Sequence, residues 1–293
     1  MGELCLAAKI THVPSMYLSE LPGKHHGCRQ AAIDGHYEIG RRCREMGVDT
    51  IVVFDTHWLV NSAFHINCHE HFKGIYTSNE LPHFIHDMEY EYDGNPELGQ
   101  LMGEEARARG VRAKDHQISS LELEYGTLVP MRYMHMQGGY KFKVVSVAAL
   151  LTSHFHEDSV KFGEATLAAI KRYNGKVAVL ASGSLSHLFI DDHRAENFMH
   201  KYSREFDHIV DRSVVEMWKK GDWETFTSIV TDYDKACYGE GHMHDTVMLL
   251  GMLGWDKYRE PVEILTPLFA SSGTGQLNAI FPIPQEIKEK LAA

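Results

Sequence analysis

Positive charge is in short supply in this chain: 29 Lys and Arg stand against 40 Asp and Glu, giving a net charge of −11 at pH 7. Such a balance offers no cationic surface to neutralise phosphates or anionic lipid, so no nucleic acid and no membrane is expected as a partner. Cysteine is sparse too. The five residues Cys5, Cys28, Cys43, Cys68 and Cys237 are odd in number and form no C-x-x-C pair. They read as free thiols of a reducing compartment rather than as a disulfide framework. No apolar run reaches the 18 residues that a membrane span needs, and the first residues carry no basic leader. A soluble cytoplasmic protein is the expectation. Low-complexity tracts, repeats and Pro/Ser-rich linkers are missing as well, so the 293 residues read as one catalytic domain, 1–293.

What the chain has in excess is histidine, 20 residues against 13 tyrosines and 13 phenylalanines. Histidine is the commonest metal ligand and the usual general acid-base group, so its placement decides the functional reading. Short runs rich in Val, Ile and Ala alternate with stretches of helical spacing, the pattern of an α/β fold with a largely parallel central sheet flanked by helices. Strands are expected at 4–10, 50–54, 111–114, 142–149 and 176–181, with helices at 29–45, 95–109, 129–136 and 159–173. Residues 64–68 and 72–76 read as a short hairpin. The last third is expected to be helical at 195–218, 223–230 and 244–255, with two closing strands at 261–269 and 276–282.

Five of these strands end close to a histidine: His12, His57, His116, His154 and His187. In an open parallel sheet the carboxyl ends of the strands lie along one edge, and ligands bind in the crevice outside them. Histidines far apart in sequence can therefore converge there. His12 and His57 follow their strands most closely, and Asp55 and Thr56 could orient the coordinating imidazole. A third ligand is sought in Tyr238-Gly-Glu-Gly-His-Met-His244, where Glu240 lies between two glycines and His242 and His244 are its rivals. Two histidines and a carboxylate suit the facial triad of non-heme Fe(II) oxygenases and also a catalytic zinc. The run Ala181-Ser-Gly-Ser-Leu-Ser-His187 is no Gly-x-Ser-x-Gly elbow, so a serine hydrolase is set aside and His187 reads as a base. Ser271-Ser-Gly-Thr-Gly275 reads as a turn between strands.

Taken together, Lys9-Ile-Thr-His-Val-Pro-Ser-Met16, Phe54-Asp-Thr-His-Trp58, Leu123-Glu-Tyr-Gly-Thr-Leu-Val-Pro130, Ala181–His187, Tyr238-Gly-Glu-Gly241 and Ser272-Gly-Thr-Gly-Gln276 resemble the class III extradiol ring-cleaving dioxygenases of the protocatechuate 4,5-dioxygenase large-subunit type. The resemblance extends over residues 9–276. It implies a non-heme Fe(II) site held by His12, His57 and Glu240, O2 as co-substrate, a small-molecule catechol as substrate, and a homo-oligomer. It places His187 at the position of the acid-base histidine. Many relatives carry an Asp-His pair before a Gly-Thr-x-x-Pro segment, where this chain has Glu124-Tyr125. The second acid-base residue is therefore open between Tyr125, His116 and His154, with Tyr125 and His154 also expected to contact substrate. A carboxylate on the substrate calls for a cation, and Lys24, Arg29, Lys114 and Arg132 are the candidates. Within the resemblance another catechol or an aminophenol could be cleaved; outside it, the rivals are a zinc hydrolase using the same triad and a non-catalytic binding protein.

Overall fold

A computed structural model of the chain describes residues 2–135 and 139–292. Among these described residues, ten strands and nine α-helices follow one another as β1 (Glu3–Ile10), α1 (Ser15–Glu20), α2 (Gln30–Met46), β2 (Thr50–Val60), β3 (Phe64–Asn67), β4 (His71–Tyr76), β5 (Met88–Asp93), α3 (Pro96–Ala108), β6 (Ala113–His116), α4 (Tyr125–His135), β7 (Lys143–Leu151), α5 (His156–Arg172), β8 (Lys176–Ser182), α6 (Glu205–Lys220), α7 (Trp223–Cys237), α8 (His244–Leu253), β9 (Glu263–Ser271), β10 (Thr274–Ile280) and α9 (Gln285–Ala292). Eight strands form one sheet in the order β6-β3-β7-β2-β8-β1-β10-β9. Its centre, β7-β2-β8-β1, is parallel throughout.

The buried central strands explain their near-continuous apolar sequences, because both faces of the sheet are covered. Val52, Phe54, Val145, Val147, Val177 and Val179 pack into one core, and Ile51, Val53, Val144, Ala178 and Leu180 pack into the other. The period of two along each strand thus assigns alternate residues to opposite layers. Helix α2 ends at Gly47, whose φ of 73° is left-handed and whose N–H donates to the Arg44 carbonyl. Asn95 caps α3 by accepting the Leu98 N–H at 3.1 Å. No described helix is long and apolar enough to cross a membrane.

Three expectations are corrected. The segments 64–68 and 72–76 do not pair with each other: β3 joins the main sheet between β6 and β7, and β4 pairs with β5 in a separate two-stranded ribbon. Helix α6 begins only at Glu205, ten residues later than expected, because 195–204 forms irregular turns that pack Ala195 and Met199 against Leu81 and Phe84. β6 also runs against the central strands, since it is parallel to β3 and β3 is antiparallel to β7. The expected end of the helix at Met136 lies outside the described residues.

One buried acid joins several of these elements. Asp211 of α6 accepts the Tyr233 hydroxyl of α7 at 2.6 Å and the Ser186 hydroxyl beyond β8 at 2.7 Å. A Cβ on Gly275 would overlap its carboxylate, so glycine is required there. Burial pushes the Asp211 carboxyl up to about 6. The unfolded chain then releases its proton first as pH rises, and stability falls between about pH 4 and pH 6. The Asp211→Asn variant lacks this titration. Relative to the parent it should gain roughly 3 kcal/mol across that window and stay level above about pH 7, on top of a pH-independent offset for the altered hydrogen bonds. Urea denaturation at a series of pH values measures the difference; a difference independent of pH would contradict a raised carboxyl.

Candidate metal centre

The register of three adjacent strands brings the first two ligand candidates together. Ile10 of β1 and Asp55 of β2 both lie level with Ser182 of β8, the strand between them. His12 and His57 each stand two residues beyond that row. The small residues Ser182-Gly183-Ser184 leave space over the end of β8, and the two imidazole rings meet above it with centroids 4.9 Å apart. Beyond Asp55 the pairing of β2 with β7 shifts register, which turns Thr56 and His57 out of the regular ladder.

Glu240 reaches this point from the far end of the chain. The backbone after β8 pairs with the backbone after α7, with Glu240 N–H donating to the Leu185 carbonyl at 3.2 Å and His187 N–H to the Cys237 carbonyl at 3.0 Å. Tyr238, Gly241, His242 and Met243 have φ values of 53°, 56°, 56° and 61°, a left-handed run that three non-glycine residues adopt at a cost of about 1–3 kcal/mol each. At Gly241 a Cβ would lie 2.7 Å from the Ala149 carbonyl oxygen. This conformation buries the Glu240 carboxylate, where it accepts the Thr56 hydroxyl at 2.6 Å and the Ser184 N–H. Its Oε1 lies 3.1 Å from His12 Nε2 and 3.5 Å from His57 Nε2. One ligand atom from each of the three residues falls within 4.8 Å of the others.

The donor set fits a divalent cation. Ser182 Oγ donates to the Gly126 carbonyl at 2.5 Å, so its 3.0 Å contact with His12 Nδ1 has the ring as donor and leaves Nε2 to the metal. Burial alone would lower the pKa of His12, but Glu240 beside it leaves it raised. His57 is held well below its ordinary value by burial and by His12. Burial would raise the Glu240 carboxyl, yet the surrounding histidines, His187 first, hold it well below the usual carboxylate range. A divalent cation bound here would take the place of the proton that Glu240 favours on His12. Formally, Glu240, Asp55 and Asp245 are three buried carboxylates against one buried ammonium, Lys9, and a dication balances them.

Lys9 and Asp245 form a fully buried ion pair beneath the cluster. The pair ties β1, three residues before His12, to the start of α8, five residues after Glu240. Asp55 acts on the backbone rather than on a ring: its Oδ1 accepts the His57 N–H at 2.8 Å and its Oδ2 the Thr127 hydroxyl at 2.6 Å. Ser182 and Lys9 escaped the sequence reading. A lysine inside the otherwise apolar strand 4–10 was the available signal for one of them.

His187 and Tyr125 border the same small cavity of about 20 Å3, room for roughly one water, together with His12, His57, Glu240, Leu81, Phe84 and Phe189. His187 Nδ1 is 2.8 Å from Ser184 Oγ, which leaves Nε2 for a ligand, and burial keeps its pKa low. The Tyr125 ring lies on His57 at 3.7 Å between centroids, and its hydroxyl donates to Glu80 at 3.3 Å.

The other candidates lie elsewhere. His116 ends β6, whose direction carries it away from this edge, and three strand spacings separate β6 from β2, roughly 14 Å. Its Nε2 meets His65 Nδ1 at 2.9 Å. His154 turns its ring onto Phe64, with Nδ1 3.6 Å from Asp158. His242 is an exposed partner of Asp234, and His244 bonds Ser159 at 2.7 Å. Of the five strand-end histidines, His12, His57 and His187 converge.

The Ser182 hydroxyl makes a direct test of this geometry. Ser182→Ala leaves His12 in place but frees its tautomer, and divalent-metal affinity should fall about 10–100-fold. Competition with a chromophoric chelator measures it, and unchanged affinity would remove Ser182 from the metal's support.

Comparison with known proteins agrees with this geometry. Residues 6–282 match the family described as the catalytic LigB subunit of aromatic ring-opening dioxygenase. The chain is 65% identical over 272 residues to the 3,4-dihydroxyphenylacetate 2,3-dioxygenase of Escherichia coli, covering 93% of this chain and 98% of that protein. It is 22% identical over 258 residues to the 2-aminophenol 1,6-dioxygenase beta subunit of a Pseudomonas species, covering 82% of each. An uncharacterized Escherichia coli K12 protein of known crystal structure superposes with a TM-score of 0.59 at 14% identity, over 94% of this chain and 99% of that one, and shares the fold. The chain belongs to the LigB family of aromatic ring-opening dioxygenases.

Proposed function

We propose that this dioxygenase opens the ring of 3,4-dihydroxyphenylacetate with O2, at an Fe(II) ion held by His12, His57 and Glu240, to give 5-carboxymethyl-2-hydroxymuconate semialdehyde. Both oxygen atoms of O2 enter the product. The observation that carries this reading is the meeting of ligand atoms from His12, His57 and Glu240 within 4.8 Å of one another, with His187 and Tyr125 on the same cavity. The 65% identity to an enzyme named for that substrate supplies the choice of catechol. Three protein ligands leave open positions. An iron(II) ion held by His12, His57 and Glu240 would supply open coordination positions and the redox capacity that ring opening by O2 needs.

The side chains do the rest. His187 accepts a proton from one substrate hydroxyl and returns it to the oxygen that departs as the ring opens, a task suited to an imidazole near neutral pH. Ser184 on Nδ1 keeps Nε2 toward the substrate. Tyr125 stays a neutral phenol, since burial raises its pKa well above the ordinary value, and it walls the cavity beside His57. Leu81, Phe84 and Phe189 exclude water from the reacting face.

Protein stripped of metal and reloaded anaerobically with Fe(II) should consume one O2 per 3,4-dihydroxyphenylacetate and yield a yellow product, while protein loaded with Zn(II) should consume none. Zinc-dependent hydrolysis without O2 uptake would reverse the reading. His187→Ala should keep its iron and its anaerobic affinity for catechol but turn over about 10²–10⁴-fold more slowly. Loss of iron comparable to that in His12→Ala would make His187 a ligand instead of a base.

A further inference from the structure

One wall of the cavity is uncharged but backed by a buried cation. Ser15, Ser271, Ser272, Thr274 and Gln276 line that wall, and no Lys or Arg does. Arg29 lies directly behind it and is only 5% exposed. Its Nε donates to Ser15 Oγ at 2.8 Å and its Nη2 to Ser271 Oγ at 3.1 Å. The remaining N–H groups meet the carbonyls of Met199 and Ala270 and the ring of His200, and the guanidinium stands 5.2 Å from the centre of the Phe269 ring. These partners are neutral acceptors or an aromatic face. Among the described residues no carboxylate pairs with Arg29.

An unpaired buried charge is costly, and proteins keep one where something else brings the counter-charge. Burial lowers the guanidinium to about 10, so it stays charged at neutral pH. The other cations named from the sequence are placed differently. Lys24 is exposed and paired with Glu196, Arg132 is paired with Glu20 at 2.7 Å, and Lys114 is on β6, away from the cavity. Because Arg29 donates to both serine oxygens, their hydroxyl hydrogens are available to another acceptor. Ser15 Oγ and Ser271 Oγ are 3.4 Å apart, so at most one hydrogen is spent between them.

We propose that Arg29, acting through the Ser15 and Ser271 hydroxyls, is the positioning residue that holds the side-chain carboxylate of the substrate and so sets the preference for catechols bearing an acetate arm. The inference rests on the substrate reading above. The hydroxyls supply the donors, and the guanidinium behind them supplies the positive charge that a neutral side chain on the catechol cannot use. Removing an acceptor that a buried polar group needs is penalised far more than removing a methylene, which makes this wall a selector.

The test compares 3,4-dihydroxyphenylacetate with 4-ethylcatechol, its uncharged counterpart of similar size, in Fe(II)-loaded parent protein, Arg29→Met, Arg29→Lys and the double variant Ser15→Ala/Ser271→Ala. Anaerobic calorimetry gives Kd, and steady-state O2 uptake gives kcat and KM. The parent should favour the acid by about 100-fold or more in kcat/KM. In Arg29→Met that preference should shrink to below about tenfold, with the loss in Kd and KM of the acid rather than in kcat, and Arg29→Lys should recover part of it. Equal weakening of both ligands, or a fall in iron content, would reduce Arg29 to a structural role. Should Arg29→Met fail to fold, the double serine variant keeps the cation and must still lose affinity for the acid alone; unchanged affinity there overturns the inference. A parent that binds both catechols equally overturns the substrate reading and the anchor with it, whereas a preference that survives Arg29→Met overturns the anchor only.

Discussion

A single buried carboxylate organises the catalytic edge of this protein. Glu240 sits among His12, His57 and His187, and it is held there by the Thr56 hydroxyl and the Ser184 N–H. These partners come from the ends of three strands or the loops after them, so the carboxylate keeps its place only if β1, β2 and β8 keep their register. A slip of one residue in β1 or β2 would turn its histidine to the opposite face of the sheet. The left-handed conformations of Tyr238, His242 and Met243 are the conformational cost of reaching this position, and the burial of Trp218, Trp223, Phe226 and Val230 around α6 and α7 offsets it.

Charge is arranged in layers around that carboxylate. Below it, Lys9 and Asp245 compensate each other in complete burial, and Asp55 is satisfied by a backbone N–H and the Thr127 hydroxyl. Removing one member of such a pair leaves the other uncompensated, so Lys9 and Asp245 constrain each other. Above it, Leu81, Phe84, Tyr125 and Phe189 wall one side of the cavity and the uncharged polar residues Ser15, Ser271, Ser272, Thr274 and Gln276 another, so charge changes there are poorly screened.

Much of this was legible in the amino-acid sequence because two patterns coincide. Apolar runs without alternation marked the central strands, and histidines a few residues past several of them marked the edge. His12, His57 and His187 follow strands of the parallel centre, where a carboxyl end does mean a shared edge. His116 follows β6, and nothing within 113–116 reveals that this strand runs the other way; direction is decided by its partner β3, which is antiparallel to β7. The same blindness to pairing made 64–68 and 72–76 look like a hairpin. His154 follows a central strand, but three residues of loop turn its ring onto Phe64. Ser182 was hidden, and Arg29 could not be told apart from Lys24, Lys114 and Arg132, for another reason: their importance comes from which atom they face, a hydroxyl proton already given to Gly126 in one case and the lack of a carboxylate partner among the described residues in the other.

The most direct measurement of the central claim is anomalous diffraction at the iron edge from crystals grown and loaded with Fe(II) without oxygen, in the presence of 3,4-dihydroxyphenylacetate. One strong iron peak is expected, bonded to His12 Nε2, His57 Nε2 and the Glu240 carboxylate, with both catechol oxygens on its open side and His187 near the substrate but outside the coordination shell. A peak ligated by His187 or His242 in place of Glu240, or one lying among His154, His156 and His244, would contradict it.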